Sequence, residues 1–224
     1  FMSDLYDSSI DSRYQAYWRD TWYATTATDK ISVGDTAFYL PKDAWSKVQI
    51  DSKNYKVFNP EFSESLGSDY STVSNRVFLH LKKFDDVKRA TMNEEKGTRD
   101  WVCFRAAEAY LLAGEAYYRA GDVDNALKYI NTLRRNCAIE GKEKEMEISA
   151  SDLSVDFILD ERARELCGEG KRWYDLKRLG KLIERTDLHN KKAHGNMKPF
   201  HELRPIPQSQ IDRCTNVYPQ NPQW

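Results

Sequence analysis

The sequence has no apolar run approaching the 18 or so residues that cross a bilayer, and neither sign of charge is in excess. It carries 34 Lys and Arg against 35 Asp and Glu, a formal net charge of −1. The chain therefore lacks the electrostatic footprint with which a protein grips nucleic acid or an anionic lipid surface, and nucleic-acid binding is set aside. Cysteine is sparse. Cys103, Cys137, Cys167 and Cys214 lie 34, 30 and 47 residues apart, with no C-x-x-C pair and no metal-finger spacing. They are read as free, buried thiols that pack as small hydrophobes. The opening Phe1-Met2-Ser3-Asp4 has neither a basic n-region nor an apolar h-region, which leaves open a cytosolic protein or one whose start has been removed.

What the sequence does have is aromatic residues: 6 Trp, 13 Tyr and 9 Phe. Its 40% apolar and 31% charged content is that of a globular chain, and 224 residues suit one domain or part of a larger one. The first 60 residues hold Trp18, Trp22 and Trp45 with Tyr6, Tyr14, Tyr17, Tyr23, Tyr39 and Tyr55, in no sustained period. Asp51-Ser52-Lys53-Asn54, Asn59-Pro60 and the Ser/Gly-rich stretch 63–74 are turn chemistry. Residues 1–98 are accordingly expected to form a loop-rich segment with short strands or helices between the loops.

From Asp100 the pattern becomes helical. Over 100–119, Phe104, Ala107, Leu111, Gly114 and Tyr118 recur at three- and four-residue steps. Gly121-Asp122 ends that helix and caps the next, because Gly tolerates the left-handed C-terminal position and Asp accepts free amide protons. The second helix is expected over 123–137, with Ala126, Leu127, Ile130 and Leu133 inward, followed by a solvated charged connector at 140–145. Ser151-Asp152 is a candidate cap for a helix carrying Phe157, Ile158, Leu159, Ala163 and Leu166, which Gly168-Glu169-Gly170 breaks. Trp173, Leu176, Leu179, Leu182 and Ile183 mark its partner. After Thr186, Pro199, Pro205, Pro207, Pro219 and Pro222 keep the tail extended. Tyr110, Ala113, Gly114, Tyr117, Ala126 and Ile130 occupy the large, small and aromatic positions of a tetratricopeptide (TPR) repeat, in which closely crossing helices need small residues at their contact. The expected organisation is mainly α: TPR-like helix pairs over 99–185, and an extended Pro-containing tail over 186–224 packing on that scaffold. Two pairs fall short of the three or so repeats that sustain a solenoid, so further pairs are expected outside this chain or are replaced by packing on the first segment.

Several motifs now combine. Arg99-Asp100-Trp101 resembles an R-D-aromatic entry to a helix. Arg105-Ala106-Ala107-Glu108-Ala109-Tyr110-Leu111-Leu112-Ala113-Gly114-Glu115-Ala116 resembles R-x-A-E-x-Y-L-x-x-A-E-A, with Gly114 for the usual Ala. Residues 126–134 resemble A-L-x-y-I-N-x-V-R. Asp160-Glu161-Arg162-Ala163-Arg164-Glu165-Leu166 and Gly168-Glu169-Gly170-Lys171-Arg172-Trp173-Tyr174-Asp175-Leu176-Lys177-Arg178 resemble E-R-x-x-E-L-x-x-E-G-x-R-W-x-D-L-x-R. Leu203-Arg204-Pro205-Ile206-Pro207 and the ending Gln220-Asn221-Pro222 resemble a closing P-I-P and Q-N-P. In this order, over 99–224, the motifs are similar to the C-terminal portion of the SusD/RagB family of surface nutrient-binding lipoproteins of Bacteroidetes. Asp11-Ser12-Arg13 and residues 82–89 are compatible with it. The resemblance implies non-catalytic capture of an oligosaccharide or polysaccharide at the outer-membrane surface, and delivery to a SusC-like TonB-dependent transporter. It also implies a lipid anchor in a preceding N-terminal part, so the chain is expected to be a C-terminal fragment.

The charged residues Glu161, Arg162, Arg164, Glu165, Glu169, Arg172, Asp175 and Arg178 alternate in sign at helical steps, which suits ion pairs rather than catalysis. Glu161 and Glu165, four apart on one helix, do not face each other across a sugar cleft as a glycosidase pair does. His189, His194 and His201 lack carboxylates at ligand spacing, so no metal and no cofactor is expected. A sugar binder needs flat aromatic faces for C–H groups and polar partners for hydroxyls. Trp18, Trp22, Tyr23 and Trp45 are the candidates by placement, beside Arg13, Arg19 and Asp20; in a helix, Trp18 and Trp22 would share a face. Alternative readings are RagB-like peptide binding for uptake, a helical-repeat scaffold for protein partners and, last, a hydrolase.

Overall fold

The computed structural model describes residues 3–59, 78–91, 94–190 and 192–224, so the loop expected at 63–74 lies outside the described residues. These residues form two compact units, one ending at Gly168 and one running from Glu169 to Trp224. The fold is mainly helical.

The first unit opens with a 3-10 turn (Ser3–Leu5), followed by a short helix α1 (Arg13–Tyr17), strands β1 (Trp18–Arg19), β2 (Thr21–Tyr23) and β3 (Thr36–Tyr39), helix α2 (Lys47–Asp51), and strands β4 (Lys56–Val57) and β5 (His80–Leu81). β1 pairs antiparallel with β5, Trp18 opposite Leu81. β2 pairs antiparallel with β3, and β3 parallel with β4. Two- to four-residue strands explain why no alternation was visible in this segment. Trp18 and Trp22 lie on separate strands, which corrects the idea of a shared helical face.

Helix α3 (Ala106–Arg119) begins six residues later than its periodicity suggested. The preceding residues are held out of the helix by tertiary bonds: Trp101 stacks on Phe84, and Arg105 donates to the Glu165 carboxylate at 2.5 Å and its carbonyl at 2.6 Å. Phe104 is 60% exposed and takes no part in the core. Helix α4 (Val123–Asn136) starts as expected, with the Asp122 side chain accepting the Asn125 amide. The charged connector contains a helical turn, α5 (Glu143–Met146), because Met146 is buried and Asn131 exchanges two 2.9 Å bonds with Ile148. Helix α6 (Val155–Glu165) is capped by Ser154 rather than Ser151 or Asp152; Asp152 instead closes a turn onto Ser149.

Leu111, Leu133 and Leu166 form one apolar cluster, and Ala126, Ile130, Leu153 and Ile158 another. The small residue at the α3–α4 crossing is Gly114, where an added Cβ would lie 2.7 Å from Cγ1 of fully buried Ile130. Gly114→Val is therefore expected to lower stability by about 1–3 kcal/mol through overpacking, read in a thermal melt. Tyr117 and Tyr110 pack on Tyr129 at the edge of this pair, at ring distances of 5.5 and 5.8 Å.

In the second unit the expected single helix is two, α7 (Arg172–Arg178) and α8 (Leu182–His189). Gly180 adopts φ +66 between them, and the Lys181 amide turns back to the Leu176 carbonyl. The tail is not wholly extended: Pro199–Glu202 forms a 3-10 turn and α9 (Gln208–Ile211) a helical turn. Its closing motif has a local purpose. The Gln220 amide brackets Ile206, receiving its N–H at 2.7 Å and donating to its carbonyl at 2.9 Å, while Asn221 donates to the Arg204 carbonyl. Thus the Q-N-P ending clamps the P-I-P segment beside it.

Candidate functional site

The structure brings three of the four candidate aromatics to the β2–β3–β4 sheet and sets Trp18 on β1. Trp22 stacks on Phe38 at 4.7 Å and 15°, and Phe58 meets Phe38 edge-on at 5.9 Å. Trp45 packs on Tyr39 at 5.2 Å, with the Lys53 ammonium 5.5 Å above its ring. Phe38 and Tyr39 are neighbours on one strand, so their side chains leave opposite faces. Trp22 and Trp45 therefore serve opposite faces of the sheet. Tyr23, next to Trp22 at an irregularity in the pairing, is 64% exposed. Trp18 is half-buried, with its indole nitrogen shielded from solvent.

Trp22 and Trp45 are held by their surroundings. Trp45 is fixed through its backbone: its amide donates to Asn59 Oδ1 at 2.9 Å, and its carbonyl accepts from Asn59 Nδ2 at 2.7 Å. Trp22 keeps one face on Phe38 and remains half-buried, which leaves a supported aromatic surface of the kind that stacks on a sugar ring. The supporting residues Phe38, Tyr39, Phe58 and Asn59 were not singled out from sequence. The aromatic and β-branched composition of Thr36-Ala37-Phe38-Tyr39 is the signal that marks such a strand.

The charged helix series makes a buried network. Arg13 donates to Asp11, to Glu161 at 2.8 Å and to Glu165 at 2.9 Å; Arg105 pairs with Glu165, while Arg134 and Arg164 pair with Glu161. Glu161 is wholly buried and Arg13 nearly so. Burial raises the pKa of both glutamates, but the guanidiniums of Arg13, Arg164 and Arg134 around Glu161, and of Arg13 and Arg105 around Glu165, outweigh it. Both carboxylates are held below the ordinary range. A carboxylate locked in the ionised state is a poor general acid, and guanidiniums engage both of these. None of the four cysteines is in a disulfide, and burial pushes the Cys137 thiol up to about 12. Cys103, expected to be buried, is exposed, because it lies in the extended segment ahead of α3. Among the described residues, no cluster of three or more His, Cys, Asp or Glu is placed to hold a metal ion.

The described residues thus form a mainly helical chain with two small sheets, β1–β5 and β2–β3–β4, that carry the candidate aromatics. The sequence model described as the SusD family matches residues 5–224, and the chain belongs to that family. It is 34% identical over 113 residues to the SusD-like protein P25 of Formosa agariphila, covering 49% of this chain and 21% of that protein. It is 33% identical over 122 residues to the starch-binding protein SusD of Bacteroides thetaiotaomicron, covering 53% of this chain and 20% of that one. A solved SusD superfamily protein from Bacteroides thetaiotaomicron aligns over 56% of this chain and 28% of its own, at 31% identity and a TM-score of 0.46. The matched region is thus about a fifth of the length of the first two relatives and 28% of the solved one.

Proposed function

We propose that the chain belongs to a non-catalytic glycan-binding protein at the bacterial cell surface, which hands an oligosaccharide or polysaccharide to a SusC-like TonB-dependent transporter in the outer membrane. The observation that carries this reading is the half-buried indole of Trp22, backed by Phe38 and flanked by exposed Tyr23, on a SusD-family scaffold. Tyr23, Trp18 on the preceding strand and Trp45 on the opposite face of the sheet are the other aromatics proposed to contact ligand. Starch binding by the relative named SusD supports a glycan as ligand. The near-zero net charge suits an uncharged sugar polymer, and the salt-bridged state of Glu161 and Glu165 supports binding without hydrolysis.

The test is native electrophoresis through gels containing amylopectin, laminarin or polygalacturonate. Trp22→Ala is expected to weaken retention about three- to tenfold, the scale of one lost aromatic contact, with Trp22→Phe in between. Unaltered migration of the Ala variant removes Trp22 from the site. Capture of peptides in place of glycans would favour the peptide-uptake reading, and release of reducing sugar from any polymer would overturn the non-catalytic one.

A further inference from the structure

A cleft of about 760 Å³, whose lining includes none of the β2–β3–β4 aromatics, opens in the first unit between the turn after Lys82–Phe84 and the extended segment that enters α3. Its lining includes Arg19, Phe84, Asp86, Arg89, Asp100 and Trp101. Part of this set builds the walls. Asp86 accepts the backbone amides of Thr98 at 2.6 Å, Lys88 at 3.0 Å and Arg99 at 3.2 Å, which ties the two segments together and holds its carboxyl below the ordinary range. Gly97 permits that approach, since an added Cβ would stand 3.2 Å from Asp86 Oδ2. Arg19 pairs with Asp85, and Arg99 donates to the carbonyls of Lys83 and Asp85.

Three lining side chains, Trp101, Asp100 and Arg89, make no such bond within the described walls. Trp101 rests on Phe84, 5.9 Å away and 15° from parallel, yet stays 67% exposed. Phe84 is itself held by the Arg99 guanidinium over its ring at 5.9 Å. The indole is thus mounted with one face supported and the other open. Beside it stand a carboxylate, Asp100, and a guanidinium, Arg89, whose side chains bond to no other described residue. A carboxylate accepts hydroxyl protons and a guanidinium donates in a fixed fork, so together they match neighbouring hydroxyls of a sugar ring. The lining arginines Arg19, Arg89 and Arg99 are balanced by Asp85, Asp86 and Asp100, so the cleft offers an anion no net attraction.

We propose that this cleft is a second glycan subsite, which takes one uncharged pyranose ring on the open face of Trp101 with its hydroxyls on Asp100 and Arg89. It rests on the glycan-binding reading above and adds a contact point distinct from Trp22, Tyr23 and Trp45. The same gels test it, with the full chain and the variants Trp101→Ala, Asp100→Asn and Trp22→Ala, each checked for an unchanged melting curve. Retention by amylopectin or laminarin is expected to fall about fivefold in Trp101→Ala and about threefold in Asp100→Asn, in addition to any effect of Trp22→Ala. If neither cleft variant changes migration in a gel that retards the unsubstituted protein and Trp22→Ala weakens that retention, the subsite is overturned and the glycan reading stands. Retention by polygalacturonate alone overturns the uncharged ring. No retention of the unsubstituted protein by any polymer overturns both. Should Trp101→Ala melt early, Asp100→Asn decides on its own, because that side chain bonds to no other described residue.

Discussion

Glu161→Gln is expected to destabilise the first unit by about 3–5 kcal/mol, the cost of removing one partner from a buried ion pair and leaving the other charge uncompensated. Gln nearly preserves volume, so packing changes little; what disappears is the negative charge facing Arg13, Arg134 and Arg164. At about 2–4 °C per kcal/mol for a unit of this size, the melting midpoint falls by about 6–20 °C, read by circular dichroism. A fall of only a degree or two would mean that the guanidiniums find water in the folded state, contrary to their burial. The same network sets the response to acid. Glu161 and Glu165 have folded-state pKa values depressed below their ordinary 4.5. Above that value neither state binds the proton and the full contribution is present. As pH falls past it, the unfolded chain takes up protons that the folded protein refuses, so the contribution is lost progressively towards the depressed folded pKa. Stability is expected to level off above about pH 5 and to decline below it, with Glu161→Gln showing a flatter decline.

The helices of this protein were legible because burial of one stripe leaves a 3.6-residue signature, and α3, α4 and α6 keep theirs. Their errors have tertiary causes. Residues 100–105 share the helical spacing of α3 but are claimed by Phe84 and Glu165. Gly180 divides what periodicity alone made one helix. The ion-pair network was half legible: the alternating charges on α6 were visible, but Arg13 lies 148 residues from Glu161 along the chain, and no local pattern announces such a partner. The site was less legible still. Trp22 and Trp45 stood out by composition, whereas which sheet face each serves depends on strands two to four residues long. Trp101 read only as the aromatic at a helix entry, because its value as an open platform arises from Phe84, 17 residues earlier in the chain.

Gly168→Ala is the second change expected to act strongly, and it connects the scaffold to the cleft. Gly168 adopts φ +79, a conformation that costs an L-residue about 1–2 kcal/mol. A Cβ there would also lie 2.5 Å from Leu81 Cδ2 and 2.6 Å from Phe84 Cε2, well inside contact distance. Relief requires shifting both the Leu81 side chain and the Phe84 ring, an overpacking cost of about 1–3 kcal/mol more. Gly141→Ala separates the two contributions within the same unit, since Gly141 has φ +82 but nothing within 4 Å of an added Cβ. Gly168→Ala is expected to lose about 2–5 kcal/mol and Gly141→Ala only the backbone part, measured by urea unfolding. Because Phe84 backs Trp101, Gly168→Ala should also weaken retention by a neutral polymer at temperatures where it remains folded, while Gly141→Ala leaves retention unchanged. Equal destabilisation by the two substitutions would show that Phe84 yields without cost, and the ring behind Trp101 would then be a compliant support rather than a fixed one.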